Sequence, residues 1–323
     1  MNVEILSNLI EGEIFGRKDI KINDFSTIEK ANVEDITFAF TPRDKEKIRL
    51  TKSKVIISQP MFFLNQDKTF IFTKKSFNEV LYILTRYFDE NKNIPGKINY
   101  FGKNCQIKTK YIGSKNIVVG NNTVIKEGTV LEENVTIGEN CIINQNVVIK
   151  EGSKIGNNVV IDCGVCLGAE SFWGAKIKGE NKQVLGLKGV EIGDNVYIGA
   201  NSTIEKGVLK PTIIEKNSKI GSLVTIAHDT ELGENNRIVS LTGIAGCCTI
   251  GNDNEFYGQV GIADNIKIGN NVVVYAKSGI REDILDGENI SGIPGMKHKD
   301  NLKMVIKQRR EFYKNEKYSR KKI

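Results

Sequence analysis

The chain of 323 residues has only two histidines, and an imidazole, with an ordinary pKa of about 6.5, is the side chain best suited to take a proton at neutral pH. His228 is the candidate base. Eighteen residues on lies Gly246, and another eighteen on lies Asp264. If the chain closes one coil every eighteen residues, these three share a corner on successive coils, at a rise of about 4.8 Å per coil. A base beside a glycine whose backbone N–H a ligand can approach suits acyl transfer, one group removing a proton from the nucleophile and the other holding the oxyanion. A corner histidine facing solvent would present the same spacing. His298 lies in a basic run and is expected to have no catalytic role. The cysteines give no zinc motif: Cys141 and Cys248 fall on inward positions, Cys163/Cys166 and Cys247/Cys248 lack the additional His or Cys spacing of a zinc site, and Cys163-x-x-Cys166 is a weak redox or metal signal set against buried or corner thiols of no special reactivity.

The coil that would position this corner is written in the aliphatic residues. Nine stand six apart from Val119 to Leu167, the beat returns at Ile192, Ile198 and Ile204, and twelve more keep it from Ile214 to Ile280. Period six fits neither a helix nor an alternating strand, but it fits short parallel strands joined by tight turns, three hexads to a coil. The hexads make about eight coils. Small residues four places after each aliphatic one, such as Thr123, Val135, Cys141 and Val159, are expected to fill the interior. Gly and Asn at the corners (Gly120, Asn121, Asn122; Gly156, Asn157, Asn158) are expected to accommodate positive φ. Two insertions interrupt the beat, one carrying Phe172 and Trp173, the other around Pro211. Solenoid insertions are loops on one face, often the binding face, so the first is expected to cover a ligand, bridge subunits or simply pack.

Three regions follow: an α/β domain over residues 1–98, the solenoid over 99–290 and a basic helical tail over 291–323. In the first, apolar segments Ile20 to Ile22, Ile36 to Phe40, Val55 to Ile57 and Thr69 to Phe72 read as strands, and Ser76 to Tyr87 as a helix. No apolar run reaches the roughly 20 residues of a membrane span, and the first residues are acidic where a signal peptide is basic, so a cytoplasmic protein is expected. The net charge of +7 is concentrated in the tail, which from Lys297 onward carries +8 and leaves about −1 on the rest. Nucleic acid is therefore not an expected partner. Leu302, Val305, Ile306, Phe312 and Tyr313 stand at helical spacing in the tail, giving an apolar face for a neighbouring subunit and a basic face for an acidic partner.

The segments TIAHDTELGENNRIVSLTGIAGCCTIG (Thr225 to Gly251), GQVGIADNIKIGNNVVV (Gly258 to Val274) and NISGIPGMK (Asn289 to Lys297) resemble the UDP-3-O-acylglucosamine N-acyltransferase family of lipid A synthesis. SNLIEGEIFG and EDITFAFTPRD resemble that family's small uridine-binding domain, so the resemblance runs from about residue 5 to about residue 310. It implies a mainly β protein with a left-handed parallel β-helix, and a homotrimer with active sites between subunits. It also implies no bound cofactor, a UDP-sugar amine as acceptor, and a donor carried as the 4'-phosphopantetheine thioester of acyl carrier protein. It matches the family's catalytic base to His228, its oxyanion-hole glycine to Gly246 and its uracil-stacking phenylalanine to Phe38.

Departures concentrate on ligand positions. A second family histidine falls on Asn265, next to Asp264, and the tyrosine expected six residues after Phe38 is Asp44. The usual Asp-Gly-Phe-Gly reads Glu170-Ser171-Phe172-Trp173, and an Asp-Asn pair reads Gly221-Ser222. Phe38, Asp44, Ser222, Asp264, Asn265, Phe172 and Trp173 are therefore the expected substrate-contacting positions. Three readings stay open: this N-acyltransferase, a nucleotide-sugar acetyltransferase using acetyl-coenzyme A, which a bulky Trp173 in the acyl region would suit, and a non-catalytic solenoid that binds a nucleotide sugar. Acyl length and the identity of the sugar are not legible.

Overall fold

The computed structural model describes residues 1–60, 67–92 and 95–320, with side chains as far as 312. The chain divides into two compact units, one comprising Met1–Pro95, Glu170–Lys188 and Gly207–Pro211, the other Gly96–Ala169, Gly189–Lys206 and Thr212–Ile323.

The second unit is a parallel β-helix, so the mainly β solenoid expected from the hexads is the fold observed. Each coil lends one short strand to each of three parallel sheets. The beat is a hydrogen-bond ladder: Val124 N–H donates to the Cys141 carbonyl at 2.8 Å, and Lys126 N–H to that of Ile143 at 2.9 Å. Ile125 consequently pairs with Ile143, and Ile137 with Ile155. Across the first insertion the partner is 37 residues away, Ile155 opposite Ile192, and the register shifts only at the insertion's edge, between Leu167 and Ala169. Every residue on the beat from Val119 to Ile280 is buried, as are Thr123, Val135, Cys141 and Val159 on the inward small positions. Full burial of an aliphatic side chain contributes roughly 1.5–3 kcal/mol, and here it recurs coil after coil.

Among the described residues two of the sheets hold nine strands each, so there are nine complete coils rather than about eight. The additional coil, Tyr100–Phe101, Gln106–Ile107 and Tyr111–Ile112, precedes the regular beat. Phe101 and Ile107 keep the step of six, but Ile112 stands one residue short and pairs with Leu131.

The corners also differ from expectation in which residue carries the unusual backbone. Asn122, Asn140 and Asn158 take the left-handed conformation, with φ of 57, 56 and 55°, whereas Gly120 and Gly156 do not. Those glycines serve close approach: a Cβ on Gly120 would lie 2.6 Å from the carbonyl carbon of Gly138. The asparagines tolerate the left-handed region, and Asn122 Nδ2 donates to Asn140 Oδ1 on the next coil at 3.2 Å.

The first unit is α/β. Helix α1 (Val3–Leu9) leads into a sheet of β1 (Glu13–Phe15), β2 (Asp24–Phe25), β3 (Asp35–Ala39), β4 (Val55–Ser58) and β5 (Thr69–Phe72) in the order β1-β5-β4-β3-β2. Among the described residues only β1 runs antiparallel to its neighbour. Helices α2 (Asp44–Leu50) and α3 (Phe77–Glu90) complete the fold, α3 starting at a capping box between Ser76 and Glu79. The segment expected as a strand at Ile20 to Ile22 makes only an isolated antiparallel bridge, Lys21 opposite Asn2 with Ile22 N–H donating to the Met1 carbonyl at 2.9 Å, and β2 begins at Asp24. Both solenoid insertions belong to this unit: Ala175, Val184, Val208 and Leu209 are buried in its core.

The helix expected in the tail is α4 (His298–Arg320). Its residues Leu302, Ile306 and Phe312 are 47, 50 and 61% exposed; the side chain of Tyr313, also expected on this face, lies outside those described.

Among the cysteines, Cys163 is exposed while Cys141 and Cys248 are buried. Burial pushes the Cys141 thiol up and the Cys248 thiol to about 11, so the reactive thiolate of either is scarce at pH 8. Alkylation of the folded protein at that pH, read by peptide mass spectrometry, is expected to modify Cys163 first and to leave Cys141 and Cys248 intact until denaturant is added. Early labelling of Cys248 would contradict the burial.

Candidate active site

The eighteen-residue spacing does put His228, Gly246 and Asp264 on one corner. Strand Thr225–Ile226 pairs with Gly243–Ile244, and that strand with Gly261–Ile262. Past the strands, Cys247 N–H donates to the His228 carbonyl at 2.9 Å and Asn265 N–H to that of Gly246 at 3.0 Å.

His228 is not a solvent-facing corner residue, being 9% exposed. Its ring fills the space a side chain at 246 would need: a Cβ on Gly246 would lie 2.6 Å from Nε2 and 3.0 Å from Nδ1. Nδ1 lies 3.0 Å from Oδ2 of Asp229, which is itself buried. A carboxylate can only accept, so this contact places the proton on Nδ1 and leaves the lone pair on Nε2. The His228 backbone is tied down as well, its N–H donating to Oε2 of the buried Glu205 at 3.2 Å. The Gly246 N–H makes no hydrogen bond among the described residues. An oriented imidazole above an uncommitted backbone donor can move a proton and hold an oxyanion.

Of the other expected positions, Asp264 and Asn265 are exposed, and Asn265 Nδ2 donates to Asp264 Oδ2 at 2.8 Å. Asn265 occupies a left-handed corner, φ 61°. Ser222 stands on the preceding corner of the His228 coil, its N–H bonded to Ser240 Oγ at 3.1 Å. His298 stacks on Tyr275 with ring centroids 4.1 Å apart and pairs with Ser291 Oγ at 2.9 Å.

Phe38 and Asp44 meet in the first unit, in a pocket of about 220 Å³ lined also by Phe40, Thr41, Lys47 and Phe77. Phe38 packs edge-on to Phe77, centroids 5.4 Å apart. The Asp44 carboxylate is engaged with the turn before α2, accepting from Phe40 N–H, Thr41 N–H and Thr41 Oγ at 2.8–3.1 Å. The second aromatic wall of the pocket thus comes from Phe77 and Phe40 rather than from position 44. Trp173 packs on Phe77 at 6.1 Å and its indole N–H donates to Asn78 Oδ1 at 3.2 Å, while Phe172 beside it is 94% exposed.

Sequence reasoning passed over Asp229, Glu205 and Phe77, and set Cys247 aside for want of the spacing of a zinc site. Asp229 follows the histidine directly and could have been paired with it, and Cys247 lies on the corner one coil above Asp229, nineteen residues from His228. Glu205 is out of step because the insertion around Pro211 stretches that coil.

The hexapeptide architecture is matched by two family descriptions, bacterial transferase hexapeptide (six repeats) over residues 116–151 and hexapeptide repeat of succinyl-transferase over residues 189–209. A UDP-3-O-acylglucosamine N-acyltransferase of Fusobacterium nucleatum is 41% identical over 231 residues, 70% of each chain. The chain belongs to the UDP-3-O-acylglucosamine N-acyltransferase family. It is accordingly a hexapeptide-repeat acyltransferase. The match to the Hahella chejuensis enzyme of the same name is shorter, 41% over 70 residues, 22% of this chain and 20% of that one. Among solved structures, the UDP-N-acetylglucosamine acyltransferase of Francisella novicida aligns with a TM-score of 0.48 at 21% identity, over 64% of this chain and 73% of its own. No helix among the described residues is long and apolar enough to cross a membrane.

Gly246→Ala tests the ring's dependence on the missing side chain. The His228 ring resonances are expected to shift while the melting temperature holds, because a side chain can swing outward without disturbing the coil. Unchanged ring resonances would contradict the packing.

Proposed function

We propose that this chain acylates the amine of a UDP-3-O-acylglucosamine-like sugar, taking the acyl group from the phosphopantetheine thioester of an acyl carrier protein, in the cytoplasm and in a pathway of lipid A type. The observation that carries the reading is the His228 ring over Gly246 with Nδ1 held on Asp229. The sugar amine attacks the thioester carbonyl and His228 Nε2 takes the amine proton. The Gly246 N–H holds the oxyanion. Collapse forms the amide and expels the pantetheine thiolate, to which the imidazolium returns the proton.

The pocket of Phe38, Phe40 and Phe77 suits a uracil ring, each aromatic platform being worth roughly 1–3 kcal/mol by analogy with stacked nucleobases. The +8 tail favours an acidic carrier protein through electrostatic steering. The apolar residues left exposed on α4 favour assembly, and a homotrimer is the state that gives the His228 corner a second wall. Trp173, packed on Phe77, lends no support to a short acyl donor.

Mass spectrometry of the nucleotide sugar after incubation with acyl carrier protein thioesters tests the proposal. An N-acylated UDP-sugar, formed from the carrier-protein donor in preference to acetyl-coenzyme A, is expected. Product from acetyl-coenzyme A alone would replace the donor, and no product from either would overturn the reading.

A further inference from the structure

Three metal-ligating groups converge at the His228 corner, and acyl transfer has no need of the third. A ring nitrogen of His228, a carboxylate oxygen of Asp229 and the Cys247 Sγ all lie within 4.8 Å of one another. Imidazole, carboxylate and thiolate are the ligand types of zinc, and three protein ligands with a fourth position open is the arrangement of zinc sites accessible to small molecules. Two of the ligands are withdrawn from water, the His228 and Asp229 side chains being 11 and 1% exposed.

The solenoid imposes the convergence. Asp229 and Cys247 occupy the same left-handed corner position on successive coils, with φ of 58 and 61°. Other corners place asparagine there and join coils through amide side chains, as Asn104 does to Asn122 and Asn122 to Asn140. A carboxylate beneath a thiol makes no such amide ladder, and the imidazole one residue before the carboxylate completes a triangle of donors.

The triangle also tells against Cys247 as a nucleophile. In a thiol–imidazole–carboxylate relay the ring stands between the other two groups, with one at each nitrogen. Here the thiol and the carboxylate are themselves within 4.8 Å, which is the geometry of ligands around a common centre.

We infer that His228, Asp229 and Cys247 form a binding site for a divalent cation of the zinc class, and that the bound ion silences the His228 base. The second part rests on the acyl-transfer reading of His228; the first does not. A neutral imidazole has one basic lone pair. Once that pair is donated to a metal, none is left for the proton of the attacking amine, and the thiol proton is released as Cys247 binds.

Cobalt(II) and zinc(II) test the two parts separately on the full chain freed of metal by a chelator. Cobalt titration of a Cys163→Ser/Cys166→Ser protein is expected to give the thiolate-to-cobalt charge-transfer band and the visible bands of a four-coordinate ion. Cys247→Ser in the same background should lose the charge-transfer band. Absence of the band in the first protein, or its persistence in the second, would overturn the site. Stoichiometric zinc is expected to lower acyl transfer by at least about tenfold, reversibly with chelator, and Cys247→Ser should weaken that inhibition at least about tenfold. Cobalt binding at Cys247 with turnover undiminished by zinc would leave the site standing and overturn the silencing.

Discussion

The backbone ladder between coils is the interaction on which everything else in the second unit depends. Strand N–H groups donate to the carbonyls of the next coil and left-handed corner N–H groups to those of the coil before, so which residue lies over which is decided by counting along the chain. The ladder holds across an interruption, Ile155 meeting Ile192 and Leu167 meeting Ile204 although the same long insertion separates the members of each pair. Residues far apart in sequence thereby meet with the precision of adjacent strands, and His228 comes to lie directly beneath the backbone of Cys247 through a 2.9 Å hydrogen bond.

The same regularity makes the exceptions informative. Most corners are built from asparagine in the left-handed conformation and from glycine pressed against the coil above. At the His228 corner the left-handed positions carry Asp229, Cys247 and Asn265, and the glycine is pressed against an imidazole instead of a neighbouring backbone. Polar groups that would cost free energy if buried alone are paired there, Asp229 with His228 and Glu205 with the His228 N–H. The corner is thus a place where the repeat gives up amide ladders for groups that can exchange protons and bind ligands.

Period six made the solenoid legible from the sequence, because one inward aliphatic residue per strand leaves no other reading. The stack of His228, Gly246 and Asp264 followed from the count alone. What escaped notice were contacts between different corners or different regions of the chain. Phe77 reaches the Phe38 pocket from α3, and Trp173 reaches Phe77 from an insertion in the solenoid; neither has a periodic signature. Glu205 is out of step by an insertion, and Ile112 by a single residue, which hid the first coil. The zinc-like grouping was invisible to motif spacing because its ligands are assembled by the coil repeat rather than by a local turn.

The most direct test is the steady-state comparison of wild type with His228→Gln, which retains a polar side chain at the corner but has no titratable nitrogen. With His228 as the base, kcat should fall by about 10²–10⁴-fold, with KM for both substrates little changed and the circular dichroism and oligomeric state preserved. A variant that turns over within about threefold of wild type, far short of the loss a general base entails, would contradict the role given to this residue.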